Sequence, residues 1–541
     1  MVVRRALYGG KVLDMSVLSD TSIDPLGRPP RQDGPQRVVA LPRWVSAAAG
    51  AVSAAAALGV SEALTGLFRP IPSLWLAVGN AVVDLVAGTP LKSLAIALFG
   101  TNDKTALIYG TAILVVGFGA LLGLVARRSW AGATAGFVGF GLLGVLATTV
   151  SPLDSSTWAA LSAVVTVGVG VLVLRHLHSR GAVAEHGGGR REFLRAAAVM
   201  AFLAGGTGAA GHFLTARRQT SASRAAVVLP QAQPAVTVPP GSSFDALETV
   251  TPLFTPNRDF YRIDTALMAP VVELGDWTLE VHGMVDRVVT LTYDDLQGMD
   301  QFESDITIAC VSNEVGGGLI GNARWQGVRL ADVLDLAGVN PQAGQIVGRS
   351  VDGWTAGFPT QVAFDGRDAM IAVGMNGQPL PIDHGFPARL IVPGLYGYVS
   401  ATKWLQDIEL TTWEAFDAYW IPRGWAKEGP IKTQSRIDVP AAGQQVSAGQ
   451  AVVAGVAWAQ QRGVAMVEVS IDYGPWQQAE LAEELNIDTW RQWRYQWDAV
   501  PGEHRLRVRA TDTAGRTQSE QRVPVAPDGA EGYHTRTVQV S

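Results

Sequence analysis

Two regimes of hydrophobic patterning divide the 541 residues. Between Arg43 and Leu214 the apolar positions come in long runs of Ala, Val, Leu and Gly, each close to the ~20 residues a helix needs to cross a bilayer. These runs predict spans at about Trp44 to Phe68, Thr105 to Val125, Ala131 to Ser151, Thr157 to Leu174 and Phe193 to Leu214. The stretch from Ser73 to Gly100 is split by Pro90 and punctuated by Asp84 and Lys92, so it reads as two spans or a re-entrant pair. From Thr220 to about Pro252 the pattern dissolves into Ala, Pro, Ser and Val without a period, the signature of a linker. A period of two then sets in. "WTLEVHG" (Trp277 to Gly283) and "VVTLTYDDL" (Val288 to Leu296) alternate like strands, "LADVLDLAGV" (Leu330 to Val339) has helical spacing, and "ARLIVPG" (Ala388 to Gly394) reads as a buried strand. Beyond Ile431 the helical signals fade, and "AVVAGVAWA", "AMVEVSID" and "HRLRVRATD" recur at spacings that suit an immunoglobulin-like sandwich.

The predicted architecture is therefore multi-domain: an N-terminal transmembrane helical bundle, an α+β domain and an all-β immunoglobulin-like domain. Its boundaries are a tail over 1–43, membrane helices over 44–214, a linker over 215–252, the α+β domain over 253–430 and the sandwich over 431–541. Basic residues orient the bundle. Arg4, Arg5, Lys11, Arg28, Arg31, Arg37 and Arg43 flank the first span, Arg127 and Arg128 lie between the second and third, and Arg175, Arg180, Arg190, Arg191 and Arg195 precede the last. The positive-inside rule puts all three on the cytoplasmic side. They share a side only if Ser73 to Gly100 makes no net crossing, which gives five spans plus a re-entrant segment. The carboxyl-terminal half then lies outside the cytoplasmic membrane. "RREFLRAAAVMAFLAGG" (Arg190 to Gly206) has the form of a twin-arginine export signal, retained as an anchor, and equally that of a positively charged flank.

Composition narrows the chemistry. A net charge of -6, without a basic patch carrying interleaved aromatics, excludes a nucleic-acid partner. Among eight histidines, His176, His178 and His186 fall in a loop and His212 stands alone near a span end, so no haem is expected in the bundle. The single cysteine, Cys310, rules out an internal disulfide and any CxxC site. It ends the apolar run "DITIAC" and opens a turn with Asn313, Gly316, Gly317 and Gly318, where backbone can approach a ligand closely. Read from these residues alone, it is a buried structural thiol, a nucleophile wanting a base such as His282 or His384, or a ligand to a metal that takes only one bond from the protein.

The longer pattern selects among these. "ACVSNEVGGGLIGNARWQGVRLADVLDLAGV" resembles the molybdenum-cofactor domain of the sulfite oxidase family. "FYRIDTAL" (Phe260 to Leu267), "MNGQPLPIDHGFPARLIVPGLYGYVSATKW" (Met375 to Trp404), "GPIKTQSRIDVP" (Gly429 to Pro440) and the closing "GYHTRTVQV" are similar to further family segments, in the same order. The resemblance runs from about Phe254 to Val540. It implies a molybdopterin-dependent oxidoreductase carrying molybdenum on a pyranopterin dithiolene, with Cys310 as the protein's metal ligand. It further implies that His384, Arg389 and Lys403 hold the pterin and its phosphate, with Asn313, Arg324 and Ser400 as further cofactor contacts. The sandwich resembles the family's dimerisation domain, which implies a homodimer.

For substrate, the resemblance places Arg262, Trp325 and Arg494 at positions that bind a small oxyanion in sulfite-oxidising members. Departures accompany it. A third arginine is replaced by the Glu314–Val315 region, the tyrosine position reads Trp354, and Asp264 stands where a histidine is found. One cation fewer and one carboxylate more weaken oxyanion binding by ~1 to 4 kcal/mol per contact. A neutral or bulkier substrate such as a sulfoxide thus fits at least as well as sulfite. With no haem-binding domain in the sequence, electrons must pass to or from an external redox partner. Rival expectations are a cofactor-less, membrane-tethered binding protein and a cysteine-nucleophile enzyme.

Overall fold

The computed structural model describes residues 41–541 except 88, 90, 92, 93, 95–97, 99–102, 152, 153, 183–188, 220, 221 and 248; the tail over 1–40, Pro90, Lys92, His186 and the side chain of Arg190 lie outside the described residues. Five helices are long and apolar enough to cross a membrane. They are α1 (Arg43–Leu67), α3 (Asp103–Ala126), α4 (Trp130–Thr148), α5 (Ser156–Ala182) and α6 (Gly189–Gln219), with α2 (Leu74–Val86) between the first two. At 13 residues α2 is too short to span. Helix α1 is central. Gly59 and Gly66 let it meet Ala204 and Gly211 of α6 backbone to backbone, and Gly50 does the same for Gly119 and Gly123 of α3. Close backbone approach is how small residues stabilise helix pairs where lipid offers no hydrophobic contrast.

The basic connections share one end of the bundle. Gly181 packs on Leu41 and Val45, and the Trp130 ring meets His178 edge-on at 5.1 Å. At the other end Arg69, after α1, pairs with Glu273 at 3.1 Å, and Lys104, at the start of α3, pairs with Asp264 at 2.6 Å. Both flanks of the Ser73 to Gly100 stretch therefore touch the domain that follows α6. Arg175, His176 and His178, expected in a loop, instead occupy the last turns of α5, because the helix continues eight residues past the apolar run.

The second domain is built on two sheets. One runs β2 (Val289–Thr292), β1 (Thr278–Gly283), β10 (Leu405–Thr411), β5 (Gln345–Ser350), β6 (Thr355–Pro359), with β1 and β10 parallel. The other runs β3 (Gln301–Ala309), β4 (Ile320–Arg329), β7 (Met370–Met375), β8 (Gln378–Pro379), with β9 (Arg389–Ile391) also on β7. The expected strand over Val288 to Leu296 stops at Thr292. There Thr292 and Asp295 form a reciprocal cap and start helix α7 (Tyr293–Gly298). Helix α8 (Leu330–Ala337) buries Leu330, Val333, Leu334 and Ala337 against the sheets.

The C-terminal region contains two further sheets: β11 (Gln434–Val439), β13 (Gly449–Trp458), β17 (Arg491–Ala499), β16 (Glu480–Leu481), and β12 (Gln445–Val446), β19 (His534–Val540), β18 (Gly502–Asp512), β14 (Val464–Ile471), β15 (Gln477–Gln478). Ile437, Val453 and Trp493 of the first share a core with Val467, Leu506 and Val538 of the second. The region also reaches the cysteine turn. Arg436 donates to the Gly317 carbonyl at 2.9 Å, and Gly316, at φ +78°, leaves no room for a side chain beneath His534.

Candidate active site

Cys310 follows the last residue of β3, a strand buried along nearly its whole length, and its side chain is 7% exposed. The turn after it is closed by its own backbone. Cys310 N donates to Leu319 O at 2.9 Å, Asn313 N to Cys310 O at 3.0 Å, and Leu319 N to Asn313 Oδ1 at 2.8 Å. The Ser312 amide approaches Sγ at 3.4 Å.

A cavity of about 820 Å³ opens beside this sulfur. His384, Arg389 and Lys403 line it together with Cys310, although 74 residues or more separate them in sequence. Arg389 begins β9, and Gly385, at φ +110°, packs its α-carbon against Lys403 and Arg389 with no space for a methyl group. The Arg389 guanidinium is fully enclosed. It donates to the carbonyls of His384 at 3.0 Å and Ala401 at 3.4 Å and lies 5.2 Å over the Trp325 ring. Its Nε has no hydrogen-bond partner among the described residues, and burial pulls its pKa down to about 10. Burial likewise lowers Lys403 to about 8, against the pull of Asp264, whose carboxylate it meets at 2.7 Å. His384 is lowered to about 4, first by burial and then by the Arg389 charge. It is neutral at pH 7, and its Nε2 donates to the Asn257 carbonyl at 3.0 Å, leaving Nδ1 as the ring's acceptor.

Much of the remaining lining is aromatic. Trp354, Tyr398, Trp420 and Trp425 belong to it, with Glu314, Asp352 and Arg423 among them. Tyr261 lines the cavity as well; burial, reinforced by the neighbouring Cys310 sulfur, pushes its hydroxyl well above the usual phenol range. Chemically this is a cleft with one soft ligand atom, two enclosed cations lacking enough acid partners, and an apolar antechamber. An orphaned Arg389 Nε and a second buried cation at Lys403 fit an anion-bearing organic group next to a metal bound by Cys310. The volume falls in the range of small-molecule and cofactor sites.

Sequence comparison agrees with the geometry. The "Oxidoreductase molybdopterin binding domain" family matches residues 266–420, a stretch that contains Cys310, Trp354, His384, Arg389 and Lys403. The chain is 35% identical over 169 residues to the uncharacterized oxidoreductase YuiH of Bacillus subtilis, covering 30% of this chain and 82% of that one. This chain is a molybdopterin-dependent oxidoreductase of the sulfite oxidase family. The oxidoreductase is also 30% identical over 322 residues to human mitochondrial sulfite oxidase, covering 50% of this chain and 58% of that one. It thus spans less than two thirds of that relative. Among solved structures, the sulfane dehydrogenase SoxCD of Paracoccus pantotrophus aligns at 23% identity and a TM-score of 0.48, covering 56% of this chain and 88% of that one.

Not every expected site residue of the oxidoreductase reaches the cavity. Arg324 sits directly across from Asp305 in the β3–β4 register and forms a bidentate pair with it at 2.8 Å, on the sheet face away from the cleft. Trp325, one residue on, points the other way and is fully buried beneath Arg389. Asn313 and Ser400 are buried and spent on backbone, the first on Leu319 N and the second on Tyr396 O at 3.1 Å. Arg262 turns outward to Asp264 and Asp383, at 3.0 and 2.8 Å, while Tyr261, Ile263 and Asp264 on either side line the cavity. Arg494 lies on exposed β17, held bidentately by Glu480 at 2.7 Å and stacked 4.5 Å over Phe244, outside the cavity lining. Its expected substrate contact is not supported, because the cross-strand carboxylate takes both arms of the guanidinium. Reading the sequence missed Trp420, Arg423 and Trp425 in "AYWIPRGWAKEGP"; three aromatic residues in a Pro/Gly segment between domains were the available signal.

Proposed function

We propose that this oxidoreductase holds a molybdenum–pyranopterin dithiolene with Cys310 as the metal's protein ligand and with Arg389, Lys403 and His384 on the pterin and its anionic group. The observation that carries this reading is the convergence of those four side chains on one cavity. When bound, such a group supplies two-electron oxygen-atom-transfer chemistry. The chain's own residues then have distinct tasks. Arg389 and Lys403, both buried, balance anionic charge, neutral His384 orients through its Nδ1 acceptor, and Tyr261 keeps its hydroxyl proton at physiological pH.

The substrate we infer is small, neutral and partly apolar, of the sulfoxide type and reduced at the site, in preference to a sulfite-like oxyanion that is oxidised. Trp354, Tyr398, Trp420 and Trp425 suit an apolar substituent, Glu314 and Asp352 outweigh the single cation Arg423 beside them, and both arginines expected for an oxyanion are committed to carboxylates. We read the protein as a multi-pass protein of the cytoplasmic membrane, the basic end of the bundle inside and the catalytic domain outside, exported through the twin-arginine-like segment that forms the first half of α6. An external redox partner exchanges electrons with it there. The C-terminal sheets form an immunoglobulin-like domain that pairs two chains. The test is elemental analysis and pterin fluorescence on the purified full-length protein, followed by dye-coupled assays in both directions. Molybdenum with sulfoxide turnover supports the reading; a metal-free protein whose function survives Cys310→Ser would establish the binding-protein alternative.

A further inference from the structure

Asp264 is a buried carboxylate, 5% exposed, shared by cations from three parts of the chain. Lys403 reaches it from the cavity wall at 2.7 Å, Arg262 from its own segment at 3.0 Å, and Lys104 from the first turn of membrane helix α3 at 2.6 Å. Lys104 also donates to the Ala266 carbonyl at 2.7 Å, and Asn80 of α2 accepts from Leu267 N at 3.3 Å. The segment that supplies Tyr261 and Asp264 to the cavity is thereby strapped to the bundle. A second wall is tied down in the same way, since Tyr419, next to Trp420, donates to Asp84 of α2 at 2.6 Å. Thr89, just after α2, lines the cavity itself.

The signs of these charges matter for an anionic occupant. A carboxylate touching Lys403 has the wrong sign for a pocket meant to hold an anion, and left to itself it would cancel the ammonium. Arg262 is divided between Asp264 and Asp383. Lys104 is the counter-cation contributed from outside the catalytic domain. In an enclosed site of low dielectric, one charge at this distance counts far more than it would in water.

We propose that Lys104 of the membrane helix is a positioning residue for the cofactor pocket: by offsetting Asp264 it leaves Lys403 available to the cofactor's anionic group, so that cofactor retention depends on the catalytic domain being docked on the bundle. The proposal rests on the reading that Arg389 and Lys403 hold a molybdenum–pterin group. It is tested on the full-length protein in detergent, comparing wild type, Lys104→Met, Lys104→Arg, Asp264→Asn and the Lys104→Met/Asp264→Asn double variant. Molybdenum per chain and the rate of pterin loss after dilution are measured, with thermal unfolding of cofactor-free samples as a check of folding. Lys104→Met should lose its pterin roughly tenfold faster, equivalent to ~1.4 kcal/mol, and Lys104→Arg should stay close to wild type. The double variant should recover most of the loss, because the uncompensated carboxylate has gone with its partner. Equal retention in Lys104→Met and wild type overturns the proposal. So does a double variant as leaky as Lys104→Met, which would reduce Lys104 to a mechanical strap. A wild-type protein free of molybdenum would instead bring down the reading of the pocket, and this inference with it.

Discussion

Replacing Arg389 with Met separates a cofactor-binding cation from a stabilising one, because the two roles predict opposite signs. The guanidinium is enclosed, and among the described residues no carboxylate pairs with it and its Nε has no partner. The fall of its pKa to about 10, well below the ordinary guanidinium range, means that its surroundings disfavour the charged form by ~3 kcal/mol. Arg389→Met removes that penalty and keeps similar bulk over Trp325. It also strands two carbonyl acceptors, at a cost of ~1 kcal/mol each. The balance is near zero, within ~2 kcal/mol of wild type. A buried arginine that served the fold through a matched partner would cost ~3 to 5 kcal/mol on removal. The assay is thermal or denaturant unfolding of full-length protein from a host unable to make the cofactor, beside protein from one that can. The cofactor-free variant should unfold within ~4 to 8 °C of cofactor-free wild type, taking ~2 to 4 °C per kcal/mol for a domain of this size. Wild type should gain stability with cofactor and the variant should not. A cofactor-free variant destabilised by ~3 kcal/mol or more would refute the reasoning, since Arg389 would then be part of the scaffold.

Three further outcomes follow from the same geometry. Gly385→Ala forces a side chain onto φ +110° and against Lys403 and Arg389, so it should cost ~1 to 3 kcal/mol in unfolding free energy and lower molybdenum content. His384 and His534 are both held down to about 4, so between pH 6.5 and 4 the unfolded chain binds their protons and the folded one does not; stability falls on acidification through that window, and His384→Gln should flatten the fall by ~3 kcal/mol in pH-dependent denaturation. Arg494→Ala should leave KM and kcat for either substrate class unchanged and move stability by about 1 kcal/mol or less, because it removes an exposed ion pair and a surface stacking contact on Phe244; a large rise in KM would restore it to the substrate site.

Periodicity alone was enough to locate the five long apolar helices and the β-sheet segments that follow them, because a long apolar helix and a strand buried between sheets each impose their own spacing on the residues that must avoid water. The residues proposed to hold the cofactor stood out for a different reason. Cys310, His384, Arg389 and Lys403 lie in segments whose local order resembles that of a known family, and local order survives folding. Side-chain direction did not follow from order. Arg324 and Trp325 are neighbours in one motif, yet strand alternation sends one to Asp305 and the other beneath Arg389. Arg262 and Arg494 are arginines in expected places, but a carboxylate two residues away and another across the sheet hold them out of the cavity. No periodicity could bring Lys104 to Asp264 across 160 residues, or Tyr419 to Asp84 across 335. Those contacts exist only because the catalytic domain folds down onto the helices that precede it, and charge compensation in a buried site depends on distance in space.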